Sequence, residues 1–461
     1  MNPSIELQEV KHVYFLGIGG IGMSAIARWF LKNGIPVAGY DKTESPLTKI
    51  LAQEGMDIHY EDDVRLIPQE ILENRDKCLF IFTPAIPKDH LEKNFLLDQG
   101  IPLYKRSQIL GWITQQIPTL AVAGTHGKTT TSSLLTHILK NAGKNVTAFL
   151  GGITQNYGTN FIANESPDDI VCVVEADEYD RSFLTLYPYA AVVTSTDADH
   201  LDIYGDDTQV KESFQLFVNQ IQEGGYFIQK EGLGLKHKDL ATDTFGINSG
   251  NFRAENIRIE NHRMVFDLHC PAGTISNIPM RIPGFHNIEN ALAAAALALQ
   301  VGVSLDEIKE GIATFKGVKR RFEYHLETDE HVMIDDYAHH PTEIAACLNS
   351  VKALYPNEKL TAIFQPHLFS RTRDFLEDFG KSLSIADEIY LLDIYPAREL
   401  PIPGINSELV LTKITQENKQ VISKTAFIET IQKKKPKLLV TMGAGDIDLI
   451  LDDLKNAIIS S

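Results

Sequence analysis

Apolar residues recur along this chain in two alternating rhythms. "HVYFLGIG", "PVAGYD" and "CLFIFTPAIP" read as short buried strands, the last broken by Pro84 and Pro87. "GMSAIARWFLKNG", between the first two, has its apolar residues at helical spacing and stops at Gly34. The pattern restarts after Pro118 as a strand over 119–123, a glycine loop and a helix over 128–141. "DIVCVVEAD" and "YAAVVTSTDADH" read as two further, adjacent strands that end in carboxylates or histidine. Residues 230–282 read as irregular and strand-rich. An alanine-rich helix near 288–300 and "SLDEIKEGIATF" follow. From "GVKRRFEYH" a third series begins, with strand-like runs in "HVMIDDY", "LTAIFQPH", "DEIYLLDIY" and "KLLVTMGAG". Strands alternating with helical stretches predict an α/β chain whose parallel sheets are covered by helices. The breaks fall near 107–118 and near 315.

Composition narrows the picture. The 461 residues suit three domains at roughly 100–200 residues each. A net charge of −18 argues against general nucleic-acid binding. The four cysteines, Cys78, Cys172, Cys270 and Cys347, form no CxxC pair, so they read as reduced thiols of a cytoplasmic protein rather than a zinc or disulfide framework. "MNPSIELQEVKH" lacks the apolar core of a leader. The longest apolar run, 291–303, is too short to span a bilayer, so no membrane partner is expected.

Two glycine loops carry the candidate chemistry. Gly17, Gly19 and Gly22, with Gly20 between them, form GxGxxG between a strand and a helix, and Asp41 ends the next strand. Glycines there let backbone approach a pyrophosphate at a helix N-terminus. NAD is the default ligand for this motif, and a nucleotide-sugar diphosphate would use the same physics. The second loop, "GTHGKTT", also follows a strand and opens a helix. Backbone N–H groups from Gly124, Thr125, His126 and Gly127 to Thr130 are set to cradle phosphates, with Lys128 reaching the β- and γ-oxygens and the Thr129 hydroxyl ligating Mg²⁺. It is shorter than the usual phosphate loop, with only Thr125 and His126 before Gly127. Glu175 and His200, at strand ends facing the same crevice, are candidate metal ligands. On the first loop alone the chain reads as an NAD-dependent dehydrogenase, and on the second alone as a regulatory ATPase. Each reading leaves the other loop without a purpose.

Taken together, "GIGGIGMSAIA", "AGTHGKTTT", "VVEADEYDRSFL", "DADHLDIYG", "GFHNIENALAA", "GVKRRFE", "DDYAHHPTE", "QPHLFSRTRDF" and "TMGAGDI" resemble, in order, the motifs of the Mur ligase family of ATP-dependent amide-bond ligases. The resemblance covers nearly the whole chain. It implies an N-terminal Rossmann-like domain (1–112) for a UDP-sugar, a central phosphate-loop ATPase-like domain (113–315) and a C-terminal Rossmann-like domain (316–461). The substrates it implies are ATP, UDP-N-acetylmuramate and L-alanine, joined through an acyl phosphate. A related ligase that recycles a tripeptide is the alternative. The family's Mg²⁺ positions, for two ions, correspond to Thr129, Glu175 and His200. Asn287 and Asn290 correspond to adenine-side residues, Arg321 to an arginine on the ATP phosphates, and Asp336 to a nucleotide contact. Tyr337, His367 and Arg371 correspond to amino-acid contacts. Lys128, Arg321, His367 and Arg371 are the expected catalytic groups, with His367 or His339 as the proton acceptor. The resemblance also implies closure of the domains about a hinge near 315, in a monomer or homodimer. Where the family often has arginine after the histidine of "PHLFSRTR", this chain has Leu368. No motif marks Lys211 as the carbamylated lysine that some members carry.

Overall fold

The computed structural model describes residues 9–197, 207–397 and 399–460. His200 lies outside the described residues. Among these residues there are three sheets. The first is all parallel, in the order Asp57–His59, Val37–Tyr40, His12–Leu16, Cys78–Phe82, Leu103–Lys105. Its central strand is buried along almost its whole length, as a strand covered on both faces must be. The helix that follows, Ile21–Lys32, starts at Gly20 and ends before Gly34, whose φ is +76°. The next helix, Pro46–Gln53, starts on a reciprocal cap: Ser45 accepts from the Thr48 N–H while the Thr48 side chain accepts from the Ser45 N–H.

The second sheet has ten strands in the order Gly273–Met280, Arg263–Cys270, Phe252–Glu260, Thr242–Ile247, Tyr226–Lys230, Ala190–Val193, Thr119–Ala123, Val171–Ala176, Val146–Phe149, Phe161–Ile162. The six strands from Thr242–Ile247 to Val146–Phe149 run parallel. The stretch 230–282, read as irregular and strand-rich, supplies four strands that extend this sheet. One expectation needs correcting. The strands Val171–Ala176 and Ala190–Val193 are not neighbours, because Thr119–Ala123 lies between them and pairs with both. Each therefore delivers its C-terminal end to one side of the second glycine loop. The helix after that loop, Lys128–Asn141, packs on Leu305–Thr314 so closely that a Cβ on Gly311 would stand 2.8 Å from Ile138.

The third sheet runs Glu323–Glu327, Val332–Asp336, Leu438–Met442, Leu360–Phe364, Glu388–Leu391, Lys419–Val421, parallel except for its first strand. The chain divides into two compact units. One contains 1–256, 266–278 and 286–315, the other 257–265, 279–285 and 316–461. The first two sheets share the first unit because one apolar core joins them, running from Phe15, Phe30 and Ile109 to Ala121, Val174 and Phe183. Polar contacts reinforce that junction: Asn160 Nδ2 donates to the Ile21 carbonyl at 2.5 Å, and the Thr185 hydroxyl to the Ser107 carbonyl at 2.8 Å. The second unit has a core of its own around Met333, Ile363, Tyr390, Phe427 and Leu439.

Candidate active site

The loop between Thr119–Ala123 and Lys128–Asn141 is held from one side by the residues after Ala190–Val193. Thr194 Oγ donates to the His126 carbonyl (2.5 Å), Ser195 Oγ accepts from the His126 N–H (2.8 Å), and Thr125 Oγ lies 2.9 Å from Ser195 Oγ. Gly127 caps the helix with φ +82°, a left-handed conformation, and a Cβ there would stand 2.5 Å from Asn290 Oδ1. Only glycine meets both demands. Asn290 in turn donates to Asn287 Oδ1 at 3.1 Å, and both side chains are buried. The two asparagines thus sit against the phosphate loop itself.

From the other side come the residues of "EADEYD". Glu175 Oε1 accepts from the Thr129 hydroxyl at 3.0 Å, and its Oε2 from the Gly151 N–H at 2.9 Å. Lys128 folds back over the loop. Its Nζ is 2.6 Å from the Gly124 carbonyl and 2.7 Å from Glu178 Oε2. Glu178 is 2% exposed, so this is a desolvated ion pair that holds the ammonium over the loop. Glu178, Thr194 and Ser195 were not singled out from the sequence. The flanking "EADEYD" carboxylates were the only available signal. His126 is exposed, its Nε2 3.7 Å from Asp197 Oδ2.

At the first loop, Gly17 has φ +89° and the Gly17 and Ile18 N–H groups both donate to the Tyr40 carbonyl. Asp41 Oδ2 accepts from the Gly19 N–H at 2.7 Å and Oδ1 from Thr43 N–H at 3.2 Å, so this carboxylate braces the loop. Arg106 is a cation missed in the sequence. Its NH1 is 2.8 Å from where a Gly22 Cβ would stand, and its NH2 is 3.4 Å from Asp177 Oδ2. Arg106 thereby links the first loop to the strand end that carries Glu175.

The second unit holds the remaining candidates. Of the paired arginines, Arg320 is committed to structure: it donates to the Gly443 carbonyl at 2.6 Å and to Asp335 Oδ2 at 3.2 Å. Arg321 is exposed, its guanidinium 5.8 Å from the Tyr337 ring centre. Asp336 accepts from the Phe322 and Ala338 N–H groups, each at 2.8 Å. Burial pushes its carboxyl up to about 6, against the pull of Arg321 and those two N–H groups. His339 stands edge-on to both Tyr337 and His367, with ring centres 5.3 Å and 6.2 Å apart. Tyr395 stacks on His367 at an interplanar angle of 15°, and Arg371 NH1 lies 3.4 Å from His367 Nδ1. Leu368 takes φ +72° between them, a strained backbone of the kind that collects at functional sites. Tyr337, His339, His367 and Arg371 are therefore brought together.

A strand, a short glycine loop closed by lysine and threonine, a helix, and a carboxylate on the threonine hydroxyl define an α/β protein of the phosphate-loop nucleotide-binding class. Three family models match along the chain: "Mur ligase family, catalytic domain" over 12–117, "Mur ligase middle domain" over 122–298, and "Mur ligase, glutamate ligase domain" over 320–446. The chain belongs to the Mur ligase family. The UDP-N-acetylmuramate–L-alanine ligase of Christiangramia forsetii is 50% identical over 455 residues, 98% of this chain and 99% of that protein. Among solved structures, the UDP-N-acetylmuramate–alanine ligase of Thermotoga maritima matches with TM-score 0.80 at 27% identity, covering 96% of this chain and 98% of that one. A murein peptide ligase from Psychrobacter arcticus matches with TM-score 0.67 at 24% identity, covering 98% and 100%. That likeness is one of fold alone.

Proposed function

We propose that this chain joins L-alanine to the lactyl carboxylate of UDP-N-acetylmuramate, spending ATP and forming ADP and phosphate, in peptidoglycan precursor synthesis. The observation that carries the reading is the 50% identity to a ligase of that name over 98% of the chain, which leaves no domain out. The family spends ATP, and the glycine loop at 124–130 supports ATP as its ligand. The lactyl carboxylate attacks the γ-phosphorus, ADP leaves, and the acyl phosphate so formed is an acylating agent, which a free carboxylate is not. The neutral amine of alanine attacks the acyl carbon, and the tetrahedral intermediate collapses to amide and phosphate. No protein nucleophile is needed. Catalysis is positioning and charge stabilisation.

In this reading Lys128, already held above the loop by Glu178 and the Gly124 carbonyl, exchanges one of those partners for a phosphate oxygen. The Thr129 hydroxyl and the Glu175 carboxylate, 3.0 Å apart, are hard oxygen donors of the kind Mg²⁺ takes, and His200 completes the set the family resemblance implies. That ion, when bound, offsets the charge of the transferring phosphoryl group. The family resemblance gives Asn287 and Asn290 to the adenine side, while Asn290 also packs against Gly127 of the loop, and it gives Arg321 and Asp336 to the nucleotide. Gly17–Gly22 and Asp41 serve the UDP diphosphate and the loop that holds it. Arg371, a planar fork that matches a carboxylate, holds alanine with Tyr337 and His367. No helix among the described residues is long and apolar enough to cross a membrane. The deciding test is phosphate release with L-alanine against the recycled tripeptide. L-alanine alone should support turnover. Turnover with the tripeptide alone would move the assignment to the recycling ligase.

A further inference from the structure

An α-amino acid enters such a reaction as a zwitterion. Its ammonium must lose a proton before it can attack, while its carboxylate must stay anchored. The hydrogen-bonding of His339 and His367 distinguishes the two tasks. His339 Nδ1 lies 2.9 Å from the Tyr337 carbonyl oxygen and 3.4 Å from Glu343 Oε2. Burial raises the Glu343 carboxyl. The His339 ring and the His339 and His340 N–H groups outweigh it and hold this group below its ordinary range. Both neighbours of Nδ1 are therefore pure acceptors, so Nδ1 carries the proton and Nε2 of the neutral ring keeps its lone pair. His367 is the reverse. Its Nδ1 faces Arg371 NH1 at 3.4 Å. A guanidinium has only donors, so Nδ1 holds the lone pair and Nε2 carries the N–H.

Both rings are held toward the neutral form. Burial, then Arg371, then His339 bring His367 down to about 4. Burial also lowers His339, aided by Arg371 and Arg321 and opposed by Glu343 and the Tyr337 carbonyl. Two neutral imidazoles of opposite tautomer thus stand with centres 6.2 Å apart, one offering an acceptor nitrogen and the other a donor N–H. An amino acid presents the complement, an ammonium donor and a carboxylate acceptor.

We propose that His339 Nε2 takes the proton from the incoming ammonium, that His367 Nε2–H with Arg371 holds the carboxylate, and that Glu343 is a positioning residue that fixes the His339 tautomer. This rests on the reading that the second unit receives the amino acid. An N–H bond of the ammonium breaks and its electron pair stays on nitrogen. His339 becomes an imidazolium beside the Glu343 carboxylate. The freed pair forms the C–N bond, and phosphate leaves with the electrons of the C–O bond and takes the second N–H proton from the attacking nitrogen. Arg371 and Arg321, whose charges lower His339, lower the ammonium in the same direction, so they do not widen the gap between proton donor and acceptor.

The test compares His339→Gln, His367→Gln and Glu343→Gln with L-alanine and with hydroxylamine, an amine already neutral at neutral pH. His339→Gln should lower kcat with alanine roughly 10²–10⁴-fold, the range of general-base catalysis. It should abolish the acidic limb of the rate profile and spare hydroxamate formation from hydroxylamine. His367→Gln should raise the alanine KM and keep that limb. Glu343→Gln, which removes the carboxylate that raises His339, should move the limb to lower pH. The proposal is overturned if His367→Gln removes the limb while His339→Gln changes only KM, or if His339→Gln lowers alanine and hydroxylamine turnover equally. If none of the three variants alters alanine KM, kcat or the limb, the placement of the amino acid itself fails instead.

Discussion

Gly127→Ala probes the loop more directly than removal of Lys128, because its effect follows from geometry alone. An alanine at φ +82° carries a left-handed strain of about 1–2 kcal/mol. Its Cβ would also stand 2.5 Å from Asn290 Oδ1. Asn290 must then move and weaken its buried bond to Asn287, worth about 0.5–1.5 kcal/mol. Gly143 is the control. It follows the same helix at φ +70°, but nothing lies within 4 Å of its Cβ position, so Gly143→Ala carries strain without collision. Urea unfolding should therefore show both variants destabilised, Gly127→Ala by about 1 kcal/mol more. ADP release should show kcat/KM for ATP unchanged in Gly143→Ala and reduced roughly tenfold to hundredfold in Gly127→Ala, since a small displacement of positioning groups is that costly. Equal effects of the two variants on ATP, or normal ATP use by Gly127→Ala, would refute the claim that Gly127 and Asn290 set the loop against its ligand.

Three further outcomes are expected. Thr129→Val removes the hydroxyl that meets Glu175 and should raise the Mg²⁺ concentration needed for half-maximal rate, with Thr129→Ser restoring it; an unchanged Mg²⁺ titration would exclude Thr129 as a ligand. Arg371→Lys replaces a fork by a point charge and should raise the alanine KM about tenfold while leaving the ATP KM unchanged in steady-state assays. Glu92 is buried behind the first sheet, accepting from Tyr14 O–H at 2.6 Å, and burial lifts its carboxyl from 4.5 to about 7. The folded state thus keeps a proton that the unfolded chain has released, so this group's contribution to stability falls as pH rises from about 4.5 to 7. Glu92→Gln should match the parent near pH 4.5 and exceed it above pH 7 by at most about 3 kcal/mol, read from melting temperatures at the two pH values; a relative loss at high pH would reverse the sign.

Much of the fold was legible where its signals are local. The strand over 119–123, the loop and the helix over 128–141 occur as read because glycine, lysine and helix periodicity act within a few residues. All four strand-like runs of the third series form strands. Two edge strands there, Glu323–Glu327 and Lys419–Val421, escaped notice because they are short and only partly buried, which leaves little periodicity to see. Sheet order was not legible. "DIVCVVEAD" and "YAAVVTSTDADH" look like neighbours in the chain, yet the loop strand runs between them, since crossover helices and not proximity in sequence decide which strands pair. The site followed the same division. Lys128, Thr129 and Glu175 were visible as residue types at strand and helix ends. The partners that orient them were not, because Glu178 lies 50 positions from Lys128 and Ser195 lies 70 from Thr125. Glu343 was not singled out, because only the fold sets it against His339.

The central claim, that one loop spends ATP while the other carries a sugar nucleotide to be joined to alanine, is tested most directly by ADP release from purified protein with substrates omitted in turn. The account predicts ADP in step with amide only when ATP, UDP-N-acetylmuramate and L-alanine are all present. Equal ADP release with both acceptors left out would contradict it.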